Sequence, residues 1–274
     1  MGRASAALWV ARVSMAVAVG LVCVALTSQQ PASGVGYLLP TPNAKWDYQI
    51  GPAYAPPTGV TMVSRDREAA PADGLYNLCY VNAYQTQPNE TKWWKNNHNN
   101  LLLKKAGGGY VVDSYWGEIL LDISTPTKRA AIAEIVNGWI DGCATDNFDA
   151  IEPDNLDSWT RSGGRLTKEN AFALAELLTA HAHSQALAIG QKNAAGQVSL
   201  GQEAGFDFAV AEECGRYNEC GVYRQVYGNQ VYVIEYRDAD FEKSCDKWGG
   251  QLSIVRRDRG VRGPGSGNYA YAAC

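Results

Sequence analysis

Two acidic segments of this chain combine residue types and positions that could cleave a glycosidic bond. Glu152-Pro-Asp154-Asn155 follows the run Phe-Asp-Ala-Ile at 148–151, and Glu212-Glu213 follows the apolar run at 206–211. Glycoside cleavage uses two carboxyl groups: one attacks or stabilises the anomeric centre, and the other protonates the leaving oxygen and later activates water. We therefore predict that Asp154 and Glu212 form a catalytic pair.

Further polar residues fall at or near the ends of predicted strands, and we expect them to line the same cleft. They are Asp47, Tyr48, Gln49, Asp122, Glu152, Asn155, Lys192, Asn193, Glu235 and Tyr236. A rim carrying Asp47, Asp122, Glu152 and Glu235 would attract a cationic ligand, and salt would weaken that attraction. Trp159, just beyond the Asp154 segment, is predicted to stack on a sugar ring.

Other catalytic chemistries lack their residues in this sequence. His181 and His183 are two positions apart on a predicted helix, so they face different directions and cannot share a metal. The chain has neither a Gly-x-Ser-x-Gly nucleophile elbow nor a Gly-x-x-x-x-Gly-Lys phosphate loop. The cysteines also lack the paired short spacings and nearby histidines of a zinc site. We expect no metal and no cofactor.

The elements that must position the acids alternate between short apolar runs and segments of helical period, which is typical of βα units. Strands are predicted at 46–50, 59–63, 76–84, 148–152, 186–190, 206–211, 231–235 and 252–256, and clear helices at 127–147 and 167–185. Eight strands in about 230 residues predict an α/β fold, a (β/α)8 barrel, with a doubly wound sheet as the alternative. In a barrel the strand ends meet at one face, which would bring the acids together.

Two stretches are harder to assign to a regular barrel. The link between the first two predicted strands is short and rich in Pro and Gly, too short for a crossover helix, so we expect irregularity there. Residues 118–123 are either a ninth strand or an extended part of the long connection after the third strand.

Composition and the amino-terminal segment define the class of protein and its location. With 24 Lys+Arg against 28 Asp+Glu the net charge is -4, which argues against a basic nucleic-acid binder, and 10% aromatic residues argue against disorder. Residues 1–28 carry Arg3 and Arg12, no acid and an apolar run at 13–26, a pattern typical of a secretory signal peptide. An uncleaved membrane anchor is the alternative, although the run is short for a span.

The remaining chain is predicted to be a linker at 29–44 and a single domain at 45–274. We expect a secreted monomer without stable membrane association. Six cysteines follow the leader: Cys79, Cys143, Cys214, Cys220, Cys245 and Cys274. An even number in an exported chain predicts disulfides, and Cys214 with Cys220 is the expected pair because six positions separate them. The pairing of the other four is open.

The same segments resemble glycoside hydrolase family 114, the endo-α-1,4-polygalactosaminidases. The matching pieces are WDYQIG at 46–51, LDIS at 121–124, FDAIEPDN at 148–155, IGQKN at 189–193, 206–214 with Cys220, and VIEY at 233–236. The resemblance implies a (β/α)8 barrel, no metal cofactor, and hydrolysis within α-1,4-linked galactosamine polymers, which are cationic near neutral pH. It implies Asp154 as the nucleophile of a retaining mechanism and Glu212 as the general acid/base.

Two other functions compete with this interpretation. A non-catalytic carbohydrate-binding barrel would use the same cleft and release no reducing ends. A barrel phosphodiesterase would need paired histidines or a metal cluster at the cleft, which the sequence does not supply. The partner in the first two cases is a polysaccharide, and no nucleic acid is expected.

Overall fold

The computed structural model describes residues 1–2 and 36–274. All but the first two residues of the predicted signal peptide lie outside the described residues, as does the first part of the predicted linker. Within the described part of the chain, no helix is long and apolar enough to cross a membrane.

Eleven short strands follow one another along the described chain, and eight of them form the barrel. In chain order they are β1 (Trp46–Gln49), β2 (Met62–Asp66), β3 (Tyr76–Asn82), β4 (Val112–Asp113), β5 (Glu118–Ile119), β6 (Ala150–Asp154), β7 (Ala188–Lys192), β8 (Phe208–Glu212), β9 (Val231–Glu235), β10 (Ser253–Arg257) and β11 (Tyr271–Ala273). The main sheet runs β1-β2-β3-β6-β7-β8-β9-β10-β11, all parallel except for β11. This nearly closed parallel sheet confirms the predicted (β/α)8 barrel.

Seven α-helices of the described residues connect or follow these strands. They are α1 (Thr91–Asn97), α2 (Pro126–Thr145), α3 (Lys168–Ser184), α4 (Val198–Glu203), α5 (Cys214–Tyr217), α6 (Cys220–Tyr227) and α7 (Asp238–Trp248). The two long helices begin at capping residues: Thr125 Oγ1 accepts from Lys128 N, with Pro126 in the first turn, and Thr167 and Asn170 form a reciprocal capping box.

Side chains alternate between two cores along each barrel strand. One set fills the barrel interior and includes Trp46, Tyr48, Met62, Leu78, Phe208, Tyr232 and Ile234. The other set faces the helices, where Val231 and Val233 of β9 belong to the same cluster as Val136 of α2. Because successive strand residues point to opposite faces, the position of an acid within its strand decides whether it can reach the barrel mouth.

The barrel is irregular on its first side, as predicted. The connections at 50–61 and 67–75 contain no helix, and β1 is joined to β10 by side chains, since Arg257 Nη1 lies 3.0 Å from Asp47 Oδ1. Tyr271 Oη of β11 also donates to Trp46 O at 3.2 Å. The segment 118–123 is mainly an extended part of the long connection: β5 pairs with β4 in a hairpin, and bridges join Leu120 and Leu121 to neighbouring loop residues.

Three disulfides link elements of the described part of the chain. Cys79–Cys143 links β3 to α2, Cys214–Cys220 closes the turn between α5 and α6, and Cys245–Cys274 holds the last strand against α7. In the chain-entropy model a separation of 64 residues contributes about 4 kcal/mol and one of six residues about 2 kcal/mol. The sequence analysis left the partners of Cys79, Cys143, Cys245 and Cys274 open, and the structure pairs Cys79 with Cys143 and Cys245 with Cys274.

Candidate active site

A cleft of about 520 Å³ opens at the carboxyl ends of the barrel strands. The ends of β6, β7 and β8 supply Asp154, Lys192 and Glu212, and the β4–β5 hairpin forms the facing wall. A second cavity of about 380 Å³ continues past Glu212, lined by residues of α5, α6 and the turn before α4. The two cavities share Tyr115, Trp116, Asp157, Asn193, Glu212, Tyr236 and Arg259, so they form one elongated cleft.

Lys192 is the buried cation at the centre of the cleft floor. Its side chain is 1% exposed, and Nζ lies 3.1 Å from Glu152 Oε1, 3.1 Å from Asp154 Oδ1 and 3.6 Å from Glu212 Oε2. Burial alone would lower the pKa of Lys192, but the charges of the three carboxylates raise it well above its ordinary value. Lys192 is therefore a permanent positive charge between the two predicted catalytic acids.

Asp154 is held ionised by its neighbours. Its carboxylate accepts from Tyr80 Oη at 2.8 Å and from Asn155 N at 2.8 Å, in addition to the Lys192 contact. Burial by itself would raise the pKa of Asp154, but the Lys192 charge and the two further hydrogen bonds outweigh burial and hold the pKa below its ordinary value. Asn155 adopts a left-handed conformation with φ of 66°, which asparagine tolerates well.

Glu212 lies across the ammonium group from Asp154 and has its own hydrogen-bond donors. Asn193 Nδ2 donates to Glu212 Oε2 at 2.8 Å, and Tyr236 Oη donates to Oε1. Burial, together with the Glu212 charge, raises the pKa of Tyr236 well above its ordinary value, so this hydroxyl remains a donor. Asn193 also accepts from the Glu212 backbone amide at 2.9 Å, which fixes the strand end.

A chain of polar contacts connects the Asp154 side of the cleft to the hairpin. Asn82 Nδ2 donates to Glu118 Oε2 at 3.0 Å, and Asn155 Nδ2 donates to Asn82 Oδ1 at 3.0 Å. Arg161 in turn donates to Asn155 Oδ1 at 3.1 Å and pairs with Asp113 at 2.9 Å. Burial, reinforced by the negative charges of Asp154 and Asp113, raises the pKa of Glu118 to about 7.

Aromatic residues on the hairpin form the rim. Tyr115 and Trp116 are 66% and 53% exposed, and their rings meet edge to face at 4.9 Å. Trp159 does not line the cleft: its ring packs against Phe172 of α3 at 6.1 Å between centroids. The expectation of a sugar platform at Trp159 is therefore wrong, because the turn after β6 directs this side chain into the helix layer.

The structure brings together seven of the residues that the sequence singled out. They are Tyr48, Asp154, Asn155, Lys192, Asn193, Glu212 and Tyr236. Glu152 lies one layer below the cleft, where it accepts from Tyr48 Oη at 2.8 Å and contacts Lys192. It supports the lysine and does not line the cleft, because its position in β6 is fully buried.

Four other predicted cleft residues lie elsewhere. Asp47 and Gln49 sit on the outer face of β1, bonded to each other at 2.9 Å. Asp122 stabilises the start of α2, accepting from Ser124 N at 3.2 Å and pairing with Lys128. Glu235 lies behind β9.

The alternation of side chains along a strand explains why Asp47, Gln49 and Glu235 point away from the cleft. Glu235 accepts from Gly215 N at 2.7 Å, on the helix side of the barrel. Trp46 and Tyr48 point inward from β1, so Asp47 and Gln49 point outward, and Ile234 points inward from β9, so Glu235 points outward.

The sequence analysis did not predict several of the residues that line the cleft. The sequence could have identified Tyr80 as a cleft residue, because it lies two positions before Asn82 in β3 and alternation places both on the inward face. Asp113, Glu118 and Arg161 had none, since they come from a long connection and a turn whose courses the sequence does not reveal. Arg259 lies just beyond β10, where only the folded chain shows that it reaches the Glu212 side.

A barrel with two carboxylates converging beside one ammonium at its carboxyl end has the arrangement of a glycoside hydrolase. The family model for glycoside hydrolase family GH114 matches residues 26–274, so the chain belongs to this family and is an enzyme that acts on O-glycosyl bonds. No curated protein matches the chain by sequence.

Two solved structures share the fold. Aspergillus fumigatus Ega3, crystallised in complex with galactosamine, has 21% sequence identity and a TM-score of 0.70, and the alignment covers 86% of this chain and 97% of that one. The glycoside hydrolase domain of PelA from Pseudomonas aeruginosa has 14% identity and a TM-score of 0.58, with 82% and 98% covered.

Proposed function

We propose that this protein is a secreted endo-acting hydrolase of α-1,4-linked galactosamine polymers that works with retention of configuration. Asp154 is the nucleophile and Glu212 the general acid/base. Membership of family GH114 supports the reaction class, and the galactosamine bound to the structurally similar Ega3 supports the sugar.

The observation that carries the proposal is the convergence of Asp154 and Glu212 on one buried ammonium group. Their nearest oxygens lie 3.1 Å and 3.6 Å from Lys192 Nζ, so they are no farther apart than the sum of these distances. That upper bound of about 6.7 Å admits the ~5–5.5 Å of retaining enzymes and only the shortest of the ~6.5–9.5 Å separations of inverting ones.

The two steps follow from the environment of each acid. Ionised Asp154 attacks the anomeric carbon, the glycosidic bond breaks, and the leaving oxygen takes a proton from Glu212. Glu212 then removes a proton from water, which attacks the same carbon and breaks the bond to Asp154. Lys192 stabilises the negative charge that moves between the two carboxylates, and no redox change or cofactor enters the balance.

The shape of the cleft favours attack within a chain. The cavity extends past Glu212 between Tyr115 and Trp116 on one side and Tyr223 of α6 on the other, so sugar units can occupy both sides of the reacting bond. Exposed aromatic faces at this rim suit the C–H surfaces of sugar rings.

Charge at the cleft favours a cationic polymer, although through other residues than the sequence indicated. Five carboxylates line the cleft with three cations; the acids are Asp113, Glu118, Asp154, Asp157 and Glu212, and the cations are Arg161, Lys192 and Arg259. A net negative cleft raises the local concentration of a polymer of ammonium groups.

Two observations support export. The leader pattern of residues 1–28 is that of a secretory signal, and three disulfides fit a compartment where thiols oxidise. Mass spectrometry of the amino terminus of protein recovered from culture medium would test both the secretion and the cleavage of the leader.

The purified protein should be incubated with α-1,4-linked galactosamine polymers of graded acetylation. We expect a ladder of internal products by mass spectrometry and, by proton NMR, an α-anomer as the first product. Asp154→Asn and Glu212→Gln should each lower kcat by about 10⁴-fold or more, because each removes one member of the pair. Glu134→Gln, on the exposed surface of α2 away from the cleft, is the matched control and should retain kcat.

Binding without any released reducing end would identify the carbohydrate-binding alternative and overturn the proposed hydrolysis. A first product of β configuration would overturn the retaining mechanism alone. Full activity in both Asp154→Asn and Glu212→Gln would show that the assignment of the pair is wrong.

A further inference from the structure

Glu118 is a cleft carboxyl group without an ionic partner among the described residues. It begins β5, lines the cleft, and is only 8% exposed. The cations of the cleft are all paired with other acids: Lys192 with Glu152, Asp154 and Glu212, Arg161 with Asp113 and Asp157, and Arg259 with Glu213. The cleft therefore presents one buried acid that the described protein leaves unpaired.

One oxygen of Glu118 is available to a ligand. Asn82 Nδ2 donates to Oε2 at 3.0 Å, and no hydrogen bond from residues 36–274 reaches Oε1. A carboxylate on a residue that is only 8% exposed is costly to ionise without a partner, so a ligand that brings a positive charge to Oε1 would be bound preferentially.

Glu118 is held on the nucleophile side of the cleft. Asn82, which positions it, pairs directly with Asp154 in the β3–β6 register. Asn155, adjacent to Asp154, donates to the other side of the same amide at 3.0 Å. These contacts tie Glu118 and Asp154 into one hydrogen-bonded group, so Glu118 lies beside a sugar that reacts with Asp154. The ammonium group on C2, next to the anomeric carbon, is the cationic group of a galactosamine unit.

We propose that Glu118 binds the C2 ammonium group of the galactosamine unit that reacts with Asp154, and that it thereby selects deacetylated over N-acetylated polymer. This inference rests on the proposed function and names the residue responsible for its sugar preference. An N-acetyl group carries no charge, so it leaves Glu118 unpaired and gains nothing from the carboxylate.

Protonation gives this pairing a measurable signature. The charged groups that face Glu118 are Asp113 from the hairpin, Asp154 from β6 and Arg161 from the turn after β6. Burial together with the two acids raises the pKa of Glu118 to about 7, so near pH 6.5 this carboxyl group of the free protein carries a proton part of the time. A bound ammonium group favours the carboxylate, so binding expels this proton.

The test uses calorimetry on the Glu212→Gln protein, which binds without cleaving, at pH 6.5 and in buffers of different ionisation heat. The probes are α-1,4-linked tetramers of galactosamine and of N-acetylgalactosamine. Adding Glu118→Gln should weaken binding of the galactosamine tetramer by about 10–100-fold and leave the acetylated tetramer within about 2-fold. It should also remove the proton release.

Glutamine keeps the oxygen that Asn82 needs, so Glu118→Gln preserves the local hydrogen bond. Glu134→Gln is the matched control, because it removes the same charge from the exposed surface of α2, outside the cleft. It should weaken binding of the galactosamine tetramer by less than about 3-fold and leave the proton release in place.

Three results would overturn the proposal: equal weakening by Glu118→Gln and Glu134→Gln, equal weakening of both tetramers, or unchanged binding and proton release. Failure of the proposed hydrolysis is seen separately, as an absence of products with the wild-type protein, and the binding measurement does not depend on it. If neither tetramer binds the Glu212→Gln protein, the proposal for Glu118 fails, whereas the proposed hydrolysis is still judged by the products of the wild-type protein.

Discussion

The two walls of the cleft hold their acids in different ways. On the Asp154 side, the carboxylate is 18% exposed and accepts from Lys192, Tyr80 and Asn155. On the Glu212 side, the carboxylate is 27% exposed, and its donors are the neutral groups of Asn193 and Tyr236, with Lys192 farther away at 3.6 Å.

The difference matches the two roles proposed for these acids. A nucleophile must be ionised before the reaction begins, which a nearby cation and several donors ensure. A general acid/base must give up a proton and take it back, which a closely bound cation would hinder. One fold thus creates two environments from a single lysine, by placing it closer to one acid than to the other.

Removing the shared cation should have the largest effect on this comparison. In Lys192→Met, Glu152 and Asp154 lose their partner inside the barrel, so we expect the free energy of unfolding at pH 7 to fall by about 3–5 kcal/mol and kcat/KM by at least ~10³-fold. Chemical denaturation and initial rates measure the two effects.

The pH dependence of Lys192→Met has a defined sign. Burial already raises the pKa of Glu152, and loss of Lys192 raises it further. The variant should therefore recover stability relative to wild type as pH falls and Glu152 takes up a proton. The double variant Lys192→Met, Glu152→Gln should recover at least half of the lost stability at pH 7 and remain inactive. An unchanged unfolding free energy in the single variant would contradict the compensating role of Lys192.

A smaller effect should distinguish the Asp154 side of the cleft from the Glu212 side. Tyr80→Phe removes one donor to ionised Asp154, so the pKa of Asp154 rises and the acid limb of the kcat/KM profile moves to higher pH by about one unit, with ~10-fold less activity below that limb. Tyr236→Phe is the matched hydroxyl deletion on the other wall, and it should leave the acid limb in place while lowering kcat. An equal shift of the acid limb in both variants would show that the two walls are not distinct.

The smallest effect concerns the rim. Trp116→Ala should raise KM on long polymer by about 3–10-fold, with kcat nearly unchanged, because the exposed ring contacts substrate away from the reacting bond. Trp159→Ala is its control and should lower the free energy of unfolding by about 2–4 kcal/mol without changing KM, because its ring packs against Phe172. If instead Trp159→Ala raised KM and Trp116→Ala did not, Trp159 would be the residue that stacks on a sugar ring.

Local sequence patterns predicted the positions of strands and helices better than they predicted on which face of a strand each residue lies. All eight predicted barrel strands are present, several shifted by a few residues toward the carboxyl end, such as β6 at Ala150–Asp154 against the expected 148–152. For a strand buried on both faces, apolar residues occupy both faces, so periodicity does not reveal which residues point into the barrel. That ambiguity placed Asp47, Gln49 and Glu235 in the cleft, whereas all three face away from it.

The long connection between β3 and α2 is a second region whose contacts local sequence patterns did not predict. Its hairpin delivers Glu118 and Trp116 to the cleft through a short β4–β5 pairing and isolated bridges. These contacts depend on the path of a loop of some forty residues, for which neither alternation nor helical period carries information.

The amino-acid sequence by itself determined the succession of strands and helices, the even set of cysteines, and the acids that end β6 and β8. Only the tertiary structure decided that Lys192 lies between Asp154 and Glu212, that Cys79 bonds to Cys143, and that the hairpin brings an unpaired Glu118 to the same cleft. The physical reason is range: propensity and periodicity act over a few residues, whereas these contacts join strands, loops and helices that meet only when the barrel closes.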